Sequence, residues 1–396
     1  MCIRDRSIQV MDYPAIQRHV LNRFRERGIA FSATTPGGIW SFSDLPTAGN
    51  WRLTTRPPAG GLQPALAPAL VAEAENDMQP ARQPLPRHYP WLSQTTAVNA
   101  NTMAALGWER YHVSYVEAMA ETYKEQVGSL GWDGPLAAIS QTRVNLADFF
   151  KETVAVVTNP SIDREREKAQ FSTRTLIGMR PDLAESAADN NLLVQLETPL
   201  LLGGLGELGT QDDLRAAADQ LGTMTIEDLI EVFGERLVVL PMSAALDENL
   251  ELAVDRLRQA AVEAVLNGAQ CILLDDTDVY SGQRLWLDPL LVTSAIDQAL
   301  RSADHTPNLR RRTGIVVRSG ALRDLHDLAL CYALGANALV PYAIYAVAVG
   351  IAPRPSKQAP TSDQIVKQLT GTIKVLTGGL EKVISTIGCH ELRGYG

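Results

Sequence analysis

Long apolar runs, clustered cysteines and basic stripes are all missing from this sequence of 396 residues. No stretch reaches the roughly 18 uninterrupted apolar residues that a membrane-spanning helix needs, and the N-terminus lacks the apolar core of a signal peptide. The formal net charge is −9, and no Lys/Arg run is long enough to follow a phosphate backbone. We therefore expect neither a membrane nor a nucleic acid as a partner.

Cysteine is also scarce, with four residues that lie more than 50 positions apart: Cys2, Cys271, Cys331 and Cys389. Zinc and iron–sulfur sites use closely spaced cysteine pairs, so this spacing predicts no metal site and fits a reducing cytoplasm. An N-terminal Cys2 could act as a nucleophile with its own amine as base, but no glycine turn follows it. His326 has no Ser or Cys nucleophile beside it in the sequence and is predicted to be a packed or capping histidine.

Hydrophobic residues make up 45% of the chain, which is enough for a sizeable core. Between residues 236 and 342, short apolar strands alternate with helices. The predicted strands are Arg236–Leu240, Cys271–Asp275, Gly314–Arg318 and Ala338–Val340, and the predicted helices are Leu250–Leu266, Leu290–Leu300 and Leu322–Leu334. This alternation predicts an α/β fold, a parallel sheet with flanking helices on both faces.

The remaining segments are predicted to be helical or irregular. Apolar spacing predicts helices over Tyr13–Arg27, over Ala104–Tyr123 and from Asp363 to Ile384, the last interrupted by Thr377–Gly379. Eight of the 22 prolines fall within Pro57–Pro90, which predicts a linker or extended wrap. We therefore divide the chain into a largely irregular or helical N-terminal segment (1–95), an α/β domain (96–352) and a linker with a helix (353–396).

A glycine-rich segment, Gly204–Gly209, has the G-x-G-x-x-G spacing of a dinucleotide site. Thr198 and Pro199 interrupt the apolar run before it, and Pro241 follows the next strand where an acidic ribose ligand is wanted. These departures favour a loop before a helix, and a stand-alone nucleotide-binding module remains the alternative.

Two clusters of charged residues lie next to predicted strands. Asp275, Asp276 and Asp278 follow a predicted parallel strand, where three carboxylates could bind Mg²⁺ or could be solvated turn residues. The run Arg310–Arg312 precedes another strand and is predicted to be solvated, as such runs usually are.

Three ordered blocks of this sequence resemble the central domain of the glutamate synthase large subunit. The first block contains Gly128-Ser129-Leu130-Gly131, Pro135-Leu136-Ala137, Asp148-Phe149-Phe150, Val157-Thr158-Asn159-Pro160-Ser161-Ile162-Asp163, Arg166-Glu167 and Leu176-Ile177-Gly178. The second contains Arg323, His326, Leu334-Gly335-Ala336-Asn337-Ala338 and Pro341-Tyr342-Ala343, and the third is Gly379-Leu380-Glu381-Lys382-Val383-Ile384-Ser385-Thr386-Ile387-Gly388. Together they extend from near Ala105 to the C-terminus.

The resemblance implies a role in converting glutamine and 2-oxoglutarate into two glutamates with a reduced electron donor. It implies partner domains, an amidotransferase and a barrel carrying FMN beside a 3Fe-4S cluster, and a small electron-donating subunit or ferredoxin as a further partner. Residues 1–95 would then be the tail of the amidotransferase. The resemblance also implies that Ser129, Leu130 and Gly131 lie in a loop that faces the flavin, although Leu130 replaces the methionine usual in the family.

The family's amidotransferase start and cluster cysteines are absent from this chain. We therefore expect a central scaffold fragment that ends before the FMN barrel. Alone, it should bind neither cofactor and catalyse nothing. A purely structural interaction domain is a further alternative, which predicts a stable complex with a neighbouring domain and no small ligand.

Overall fold

The computed structural model describes residues 31–35, 38–40, 52–55, 98–126, 128, 131, 144–151, 170–180, 192–206, 208–303, 305, 308–353 and 360–396. Contacts divide the chain into two compact units, residues 1–83 and 84–396. The predicted helix Tyr13–Arg27 and the proline-rich segment Pro57–Pro90 lie outside the described residues.

The first unit contains a small antiparallel sheet of three strands, β1 (Phe31–Thr35), β2 (Gly38–Trp40) and β3 (Arg52–Thr55). The strand order is β2-β1-β3, and β1 pairs with both neighbours. These strands were not among the elements predicted from the sequence.

The second unit is an α/β structure. Its helices are α1 (Ala100–Ala105), α2 (Arg110–Thr122), α3 (Gln211–Leu221), α4 (Ile226–Phe233), α5 (Leu250–Leu266), α6 (Pro289–Ser302), α7 (Leu325–Ala333), α8 (Tyr342–Ala348) and α9 (Ser362–Ile387). Its strands are β4 (Thr175–Gly178), β5 (Leu193–Leu196), β6 (Leu237–Pro241), β7 (Ser243–Ala245), β8 (Cys271–Asp275), β9 (Arg284–Trp286), β10 (Gly314–Arg318) and β11 (Ala338–Val340).

The centre of this unit is a four-stranded parallel sheet in the order β11-β10-β8-β6. Every residue of β8 and β10 is buried, so both faces of the sheet are covered. The predicted α/β fold with a parallel sheet and flanking helices is therefore confirmed. The unbroken apolar pattern of these strands reflects this two-sided burial.

The helices α5, α6 and α7 each begin directly after a residue whose side chain caps the helix N-terminus. The side chain of Asn249 accepts the amide hydrogen of Glu251 at the start of α5, and Asp288 caps α6 in the same way. Asp324 caps α7 by accepting the amide hydrogen of Asp327, so α7 begins three residues later than the apolar pattern predicted.

The single helix predicted over Ala104–Tyr123 is wrong, because the chain breaks between α1 and α2. Gly107 has a φ of +83°, and a Cβ at this position would lie 2.6 Å from Oδ1 of Asn145. Only glycine suits this corner, which turns Trp108 inward so that its Nε1 donates a hydrogen bond to the carbonyl of Gly320 at 2.7 Å.

The interruption predicted at Thr377–Gly379 is also wrong, since α9 is continuous through these residues. A Cβ at Gly379 would lie 2.6 Å from Cδ2 of Leu325. The glycine here allows α9 to approach α7 closely rather than ending the helix. None of the helices in the described ranges is both long and apolar enough to cross a bilayer.

Candidate functional site

The carboxyl-terminal edge of the parallel sheet, where open α/β sheets usually bind ligands, is filled by a buried ion pair. Arg318 ends β10 and is only 2% exposed, and its Nη1 lies 2.6 Å from Oδ1 of Asp275 at the end of β8. The same nitrogen donates to Oγ1 of Thr277 at 2.5 Å, and the guanidinium lies over the ring of Tyr342, 4.2 Å from its centroid. The edge is therefore occupied by the protein's own charges.

Asp276 completes this arrangement. One carboxylate oxygen accepts hydrogen bonds from Oγ of Ser319 at 2.7 Å and from the amide of Gly320 at 2.8 Å, while the other accepts from the hydroxyl of Tyr342 at 2.8 Å. Burial, together with the charge of Asp275, raises the pKa of Asp276 to about 6.

The third aspartate, Asp278, does not join the other two. Its Oδ2 accepts from Oγ of Ser243 at 2.5 Å and lies 3.5 Å from Nε of Arg284. Across the part of the chain that the structure describes, no group of three or more His, Cys, Asp or Glu residues could hold a metal ion. The carboxylates Asp275, Asp276 and Asp278 are thus engaged by protein donors, and the geometry gives the Mg²⁺ interpretation no support.

The glycine-rich loop lies against the same edge, but its first glycine is already hydrogen-bonded on both sides. The amide of Gly204 donates to Oε1 of Glu227 at 2.8 Å, and its carbonyl accepts from Nε of Arg318 at 3.0 Å. Burial raises the pKa of Glu227. A dinucleotide site needs free amides facing a phosphate, and here a carboxyl group takes the amide of Gly204. The geometry therefore does not favour the nucleotide-binding alternative.

A second buried arginine, Arg323, joins three segments near this edge. Its Nε donates to Oδ2 of Asp327 at 2.8 Å, its Nη1 to the carbonyl of Gly107 at 3.0 Å, and its Nη2 to Oδ1 of Asp148 at 2.9 Å. Asp148 belongs to a short 3-10 turn, Leu146–Phe149. Arg323 thereby fixes this turn and the α1–α2 corner to the start of α7.

A cleft of about 110 Å³ opens beside α7. It is lined by Tyr111, Tyr115, Glu125, Gln126, Gly128, Asp324, Leu325 and His326. We call this space the α2–α7 cleft. Burial, followed by the charge of Asp327, raises the pKa of Asp324 to about 7. Burial, followed by the charge of Arg323, lowers the pKa of His112 to about 4, and its Nε2 lies 3.9 Å from Oδ2 of Asp324.

The loop implied to face a flavin is only partly described. Ser129 and Leu130 lie outside the described residues, whereas Gly131 has a φ of +111° and forms a bridge with Lys151. A Cβ at Gly131 would lie 2.3 Å from Cα of Lys151, so this contact requires glycine. The loop is thereby joined to the segment that Arg323 fixes.

This neighbourhood does not by itself form a flavin pocket. The α2–α7 cleft holds about 110 Å³, whereas pockets for ligands of cofactor size usually measure about 300 Å³ or more. No Lys or Arg lines the cleft to receive the phosphate of FMN. The described lining of the α2–α7 cleft therefore does not fit the cofactor, and the flavin-facing role of Ser129, Leu130 and Gly131 stays a prediction.

The described cysteines do not form a cluster site. Cys271 and Cys331 are buried, and burial raises the pKa of both thiols, while Cys389 is half-buried. Cys2 lies outside the described residues.

Two predictions about single residues have opposite outcomes. His326 is buried with its Nε2 3.1 Å from the carbonyl of Ala147, which confirms a packed histidine. The prediction of a solvated run is wrong for Arg310, whose Nε donates to Oδ1 of the fully buried Asp297 at 2.8 Å. Arg310 also donates to the carbonyl of Thr313 at 2.7 Å, so it anchors the start of β10.

The sequence did not identify Arg318, Glu227 or Asp324 as members of a buried polar network. One signal was present: β8 and β10 are both five residues long, and in the parallel register Arg318 is the partner of Asp275. Aligning these two strands by their first residues would have placed the opposite charges side by side. For Glu227, in the first turn of α4, no comparable signal exists.

Comparison with known proteins gives a consistent result. The family model of the glutamate synthase central domain matches residues 101–396. The chain is 28% identical over 277 residues to the large chain of glutamate synthase [NADPH] from Azospirillum brasilense, covering 70% of this chain and 17% of that protein. It is 29% identical over 286 residues to the corresponding Bacillus subtilis protein, covering 71% and 17% respectively.

A plant protein is similarly related. The chain is 30% identical over 307 residues to the chloroplastic ferredoxin-dependent glutamate synthase of Spinacia oleracea, covering 74% of this chain and 17% of that protein. The matched region thus spans about a sixth of the length of these relatives.

Proposed function

The chain belongs to the glutamate synthase central-domain family, and from this membership we propose that it is the spacer segment of a glutamate synthase. In that role it holds an amidotransferase part and an FMN-barrel part, in the same polypeptide or complex, at a fixed separation. The assembled enzyme converts glutamine and 2-oxoglutarate into two glutamates with a reduced electron donor. The related proteins are named for different donors, NADPH and ferredoxin.

One observation carries the proposal. The sheet edge where an α/β enzyme would bind its substrate is filled by the pair Arg318–Asp275 and by the bonded carboxylate of Asp276. A rigid, self-satisfied edge suits a spacer better than a catalytic domain, because catalytic groups need donors and acceptors that are free to meet a substrate. The chain alone should therefore be inactive.

We propose the division into residues 1–95, 96–352 and 353–396 for the same assembly. The last segment contains α9, which packs against α2, α3 and α7. In this assignment α9 is the element through which the spacer would orient the FMN barrel. In this proposal FMN and a 3Fe-4S cluster are held by other parts of the enzyme.

A chimera tests the proposal. Residues 101–396 would replace the matched region of the Bacillus subtilis large chain, and glutamine-dependent glutamate formation from 2-oxoglutarate would be measured. We expect activity in the chimera and none in this chain alone. The matched control carries Gly314→Trp in the inserted region, which should collapse the sheet and the activity together. Turnover by the chain alone would refute the spacer role, as would a folded chimera without activity.

A further inference from the structure

We propose that Tyr123 is a strained latch, in which α9 holds the chain that follows α2 in a left-handed backbone conformation. The latch consists of Tyr123 with Gly371 and Lys367, and the pair Lys382–Glu125 supports it. A displacement of α9 releases the last turn of α2 and the residues after it. The latch concerns this chain alone, so its test does not depend on the spacer role.

The backbone of Tyr123 is in a conformation that side chains disfavour. Tyr123 follows α2 with a φ of 52° and a ψ of 33°, and it is the only non-glycine residue in the described ranges with a positive φ. In this region Cβ comes too close to the following carbonyl oxygen, so helices that end in this way usually do so at glycine. The caps of α3 and α9 follow that rule, since Gly222 has a φ of 64° and Gly388 a φ of 81°. A tyrosine at such a position therefore needs a compensating contact.

The backbone hydrogen bond at this helix end does not explain the tyrosine. The amide of Tyr123 donates to the carbonyl of Met119 at 2.9 Å. A glycine would make the same hydrogen bond without the strain that a Cβ introduces. The reason for a tyrosine at this position therefore lies in what its side chain contacts.

The ring of Tyr123 lies against the backbone of α9. A Cβ at Gly371 would lie 2.0 Å from Cδ1 and 2.4 Å from Cε1 of this ring, so only glycine leaves room for it. Gly371 lies inside α9 and is not among the glycines with a positive φ, so its small size is in use and not its backbone freedom. Glycine inside a helix is less favourable than alanine. Tyr123 and Gly371 are thus each unfavourable in their own element, and one contact explains both.

Two charged side chains of α9 contact the same segment. Nζ of Lys367, about one turn before Gly371, lies 5.7 Å from the centroid of the Tyr123 ring, which is within the range of a cation–π contact. Lys382, further along α9, forms an ion pair with Glu125. Because α9 supplies each of these contacts, its position decides whether the segment after α2 stays in place.

These contacts are weak enough to open. Tyr123 is 38% exposed, and the side chains of Lys382 and Glu125 are 44% and 28% exposed. Contacts that solvent reaches contribute little, and here they oppose a backbone conformation that is itself unfavourable. Val116 and Met119 of α2 are by contrast fully buried, so the opening is confined to the end of the helix. Under the proposed spacer role, in which α9 orients a neighbouring domain, the latch makes the end of α2 sensitive to that domain's position.

The first test is amide exchange at Tyr123, measured by NMR in the full chain labelled with ¹⁵N-tyrosine, with Tyr123→Phe assigning the signal. Gly371→Ala places a methyl group 2.0 Å from the ring and should speed the exchange of this amide by about tenfold or more. The control is Gly378→Ala in the same helix, where a Cβ would have no atom within 4 Å, and it should leave the exchange unchanged. Equal acceleration by the two substitutions would overturn the role of Gly371.

The second test uses the sign of one substitution in two backgrounds. Gly371→Ala should lower the Tm of the unsubstituted chain, because the added methyl group meets the ring of Tyr123. In a Tyr123→Gly background the ring is gone, so the same substitution should raise Tm, since alanine is the better helix former. The same sign in both backgrounds would show that the ring does not limit this position, and the latch would be rejected.

The third test isolates the strain. Tyr123→Gly and Tyr123→Ala both remove the ring, but only glycine fits the left-handed backbone without strain. Exchange in the last turn of α2, followed by mass spectrometry, should therefore be about tenfold faster in Tyr123→Ala than in Tyr123→Gly. Equal exchange in these two variants would refute the strained latch. Peptides from β8 and β10 report on the fold, and their exchange should match that of the unsubstituted chain in every variant.

Discussion

Replacing Arg318 with methionine tests how the sheet edge is stabilised. The substitution preserves much of the side-chain length and removes a guanidinium that is 2% exposed and bonded to Asp275, Thr277 and the carbonyl of Gly204. Breaking a buried ion pair from one side costs about 3–5 kcal/mol, because the remaining charge stays buried without a partner. We therefore expect a local loss of stability of that size around β8 and β10.

The assay is native-state hydrogen exchange followed by mass spectrometry, since a chain with two compact units need not unfold in one step. A loss of about 3–5 kcal/mol corresponds to exchange faster by roughly two to four powers of ten in peptides from β8 and β10. The control is Arg215→Met, which breaks the more exposed pair with Asp228. Exposed pairs contribute little because solvent screens them, so its exchange should rise by less than about tenfold.

In Arg318→Met the carboxylate of Asp275 stays buried without its partner, and a double variant isolates the cost of that charge. Arg318→Met with Asp275→Asn removes both charges and should recover a large part of the lost protection, because a neutral pair costs far less to bury. If the double variant is as unprotected as the sum of the two single variants, the ion-pair account of this edge is refuted.

Three further predictions concern the stability of the full chain. Gly314→Ala should lower the free energy of unfolding by about 1–3 kcal/mol, since its Cβ would lie 2.7 Å from Cγ2 of Ile177 and 2.9 Å from the amide nitrogen of Gly178. Gly378→Ala, whose Cβ would have nothing within 4 Å, should instead raise the free energy of unfolding by about 0.5–1 kcal/mol, and equal effects of the two substitutions on Tm would contradict this. Thr225→Ala, at the buried cap of α4, should cost about 1 kcal/mol in urea unfolding, and no change would contradict the capping role. Burial raises the pKa of Asp324 to about 7, so stability should fall as the pH rises from the unfolded-state pKa to about 7. Asp324→Asn should therefore have a higher Tm than the unsubstituted chain at pH 8 but not at pH 4. A difference in Tm that is the same at both pH values would count against this.

The sequence predicts the parallel sheet well because two-sided burial leaves a direct record in residue type. The predicted bounds of β8, β10 and β11 agree with the observed ones, and each is an unbroken buried segment. By contrast, β9 has no fully buried residue and β5 has only one. Short strands with mixed burial produce no clear period, so the two small antiparallel pairs, β4–β5 and β7–β9, were missed.

Two glycine positions led to opposite errors: the helix break at Gly107 was not predicted, and a break was wrongly predicted at Gly379. The sequence shows that a glycine is present but does not show whether its backbone freedom or its small size is in use. Gly107 ends a helix through a φ of +83°, whereas Gly379 lies inside α9 and serves close packing against Leu325. Only the partner across the contact separates these uses, and that partner is distant in the sequence.

The candidate site was harder to predict than the fold because its chemistry depends on which charges are buried. Arg310 lies shortly before β10 and Arg318 ends it, and the composition gives no indication that either side chain is buried. Charged residues are rarely buried unless paired. Strand register does supply the pair for Arg318, but the pair Arg310–Asp297 joins a 3-10 turn to α6 and has no sequence signature.

Three buried or nearly buried arginines, Arg310, Arg318 and Arg323, fix loops to both ends of β10 and to the start of α7. Replacing both partners of a buried ion pair together by apolar side chains of similar volume is often neutral or stabilising, so stability alone does not account for these pairs. We interpret these arginines as residues that fix orientation, because the rigid, planar set of N–H donors in each guanidinium fits few arrangements of the surrounding carbonyls and carboxylates. Under the proposed spacer role, one fixed geometry would be an advantage, and a rigid fork of donors imposes such a geometry whereas an apolar contact does not.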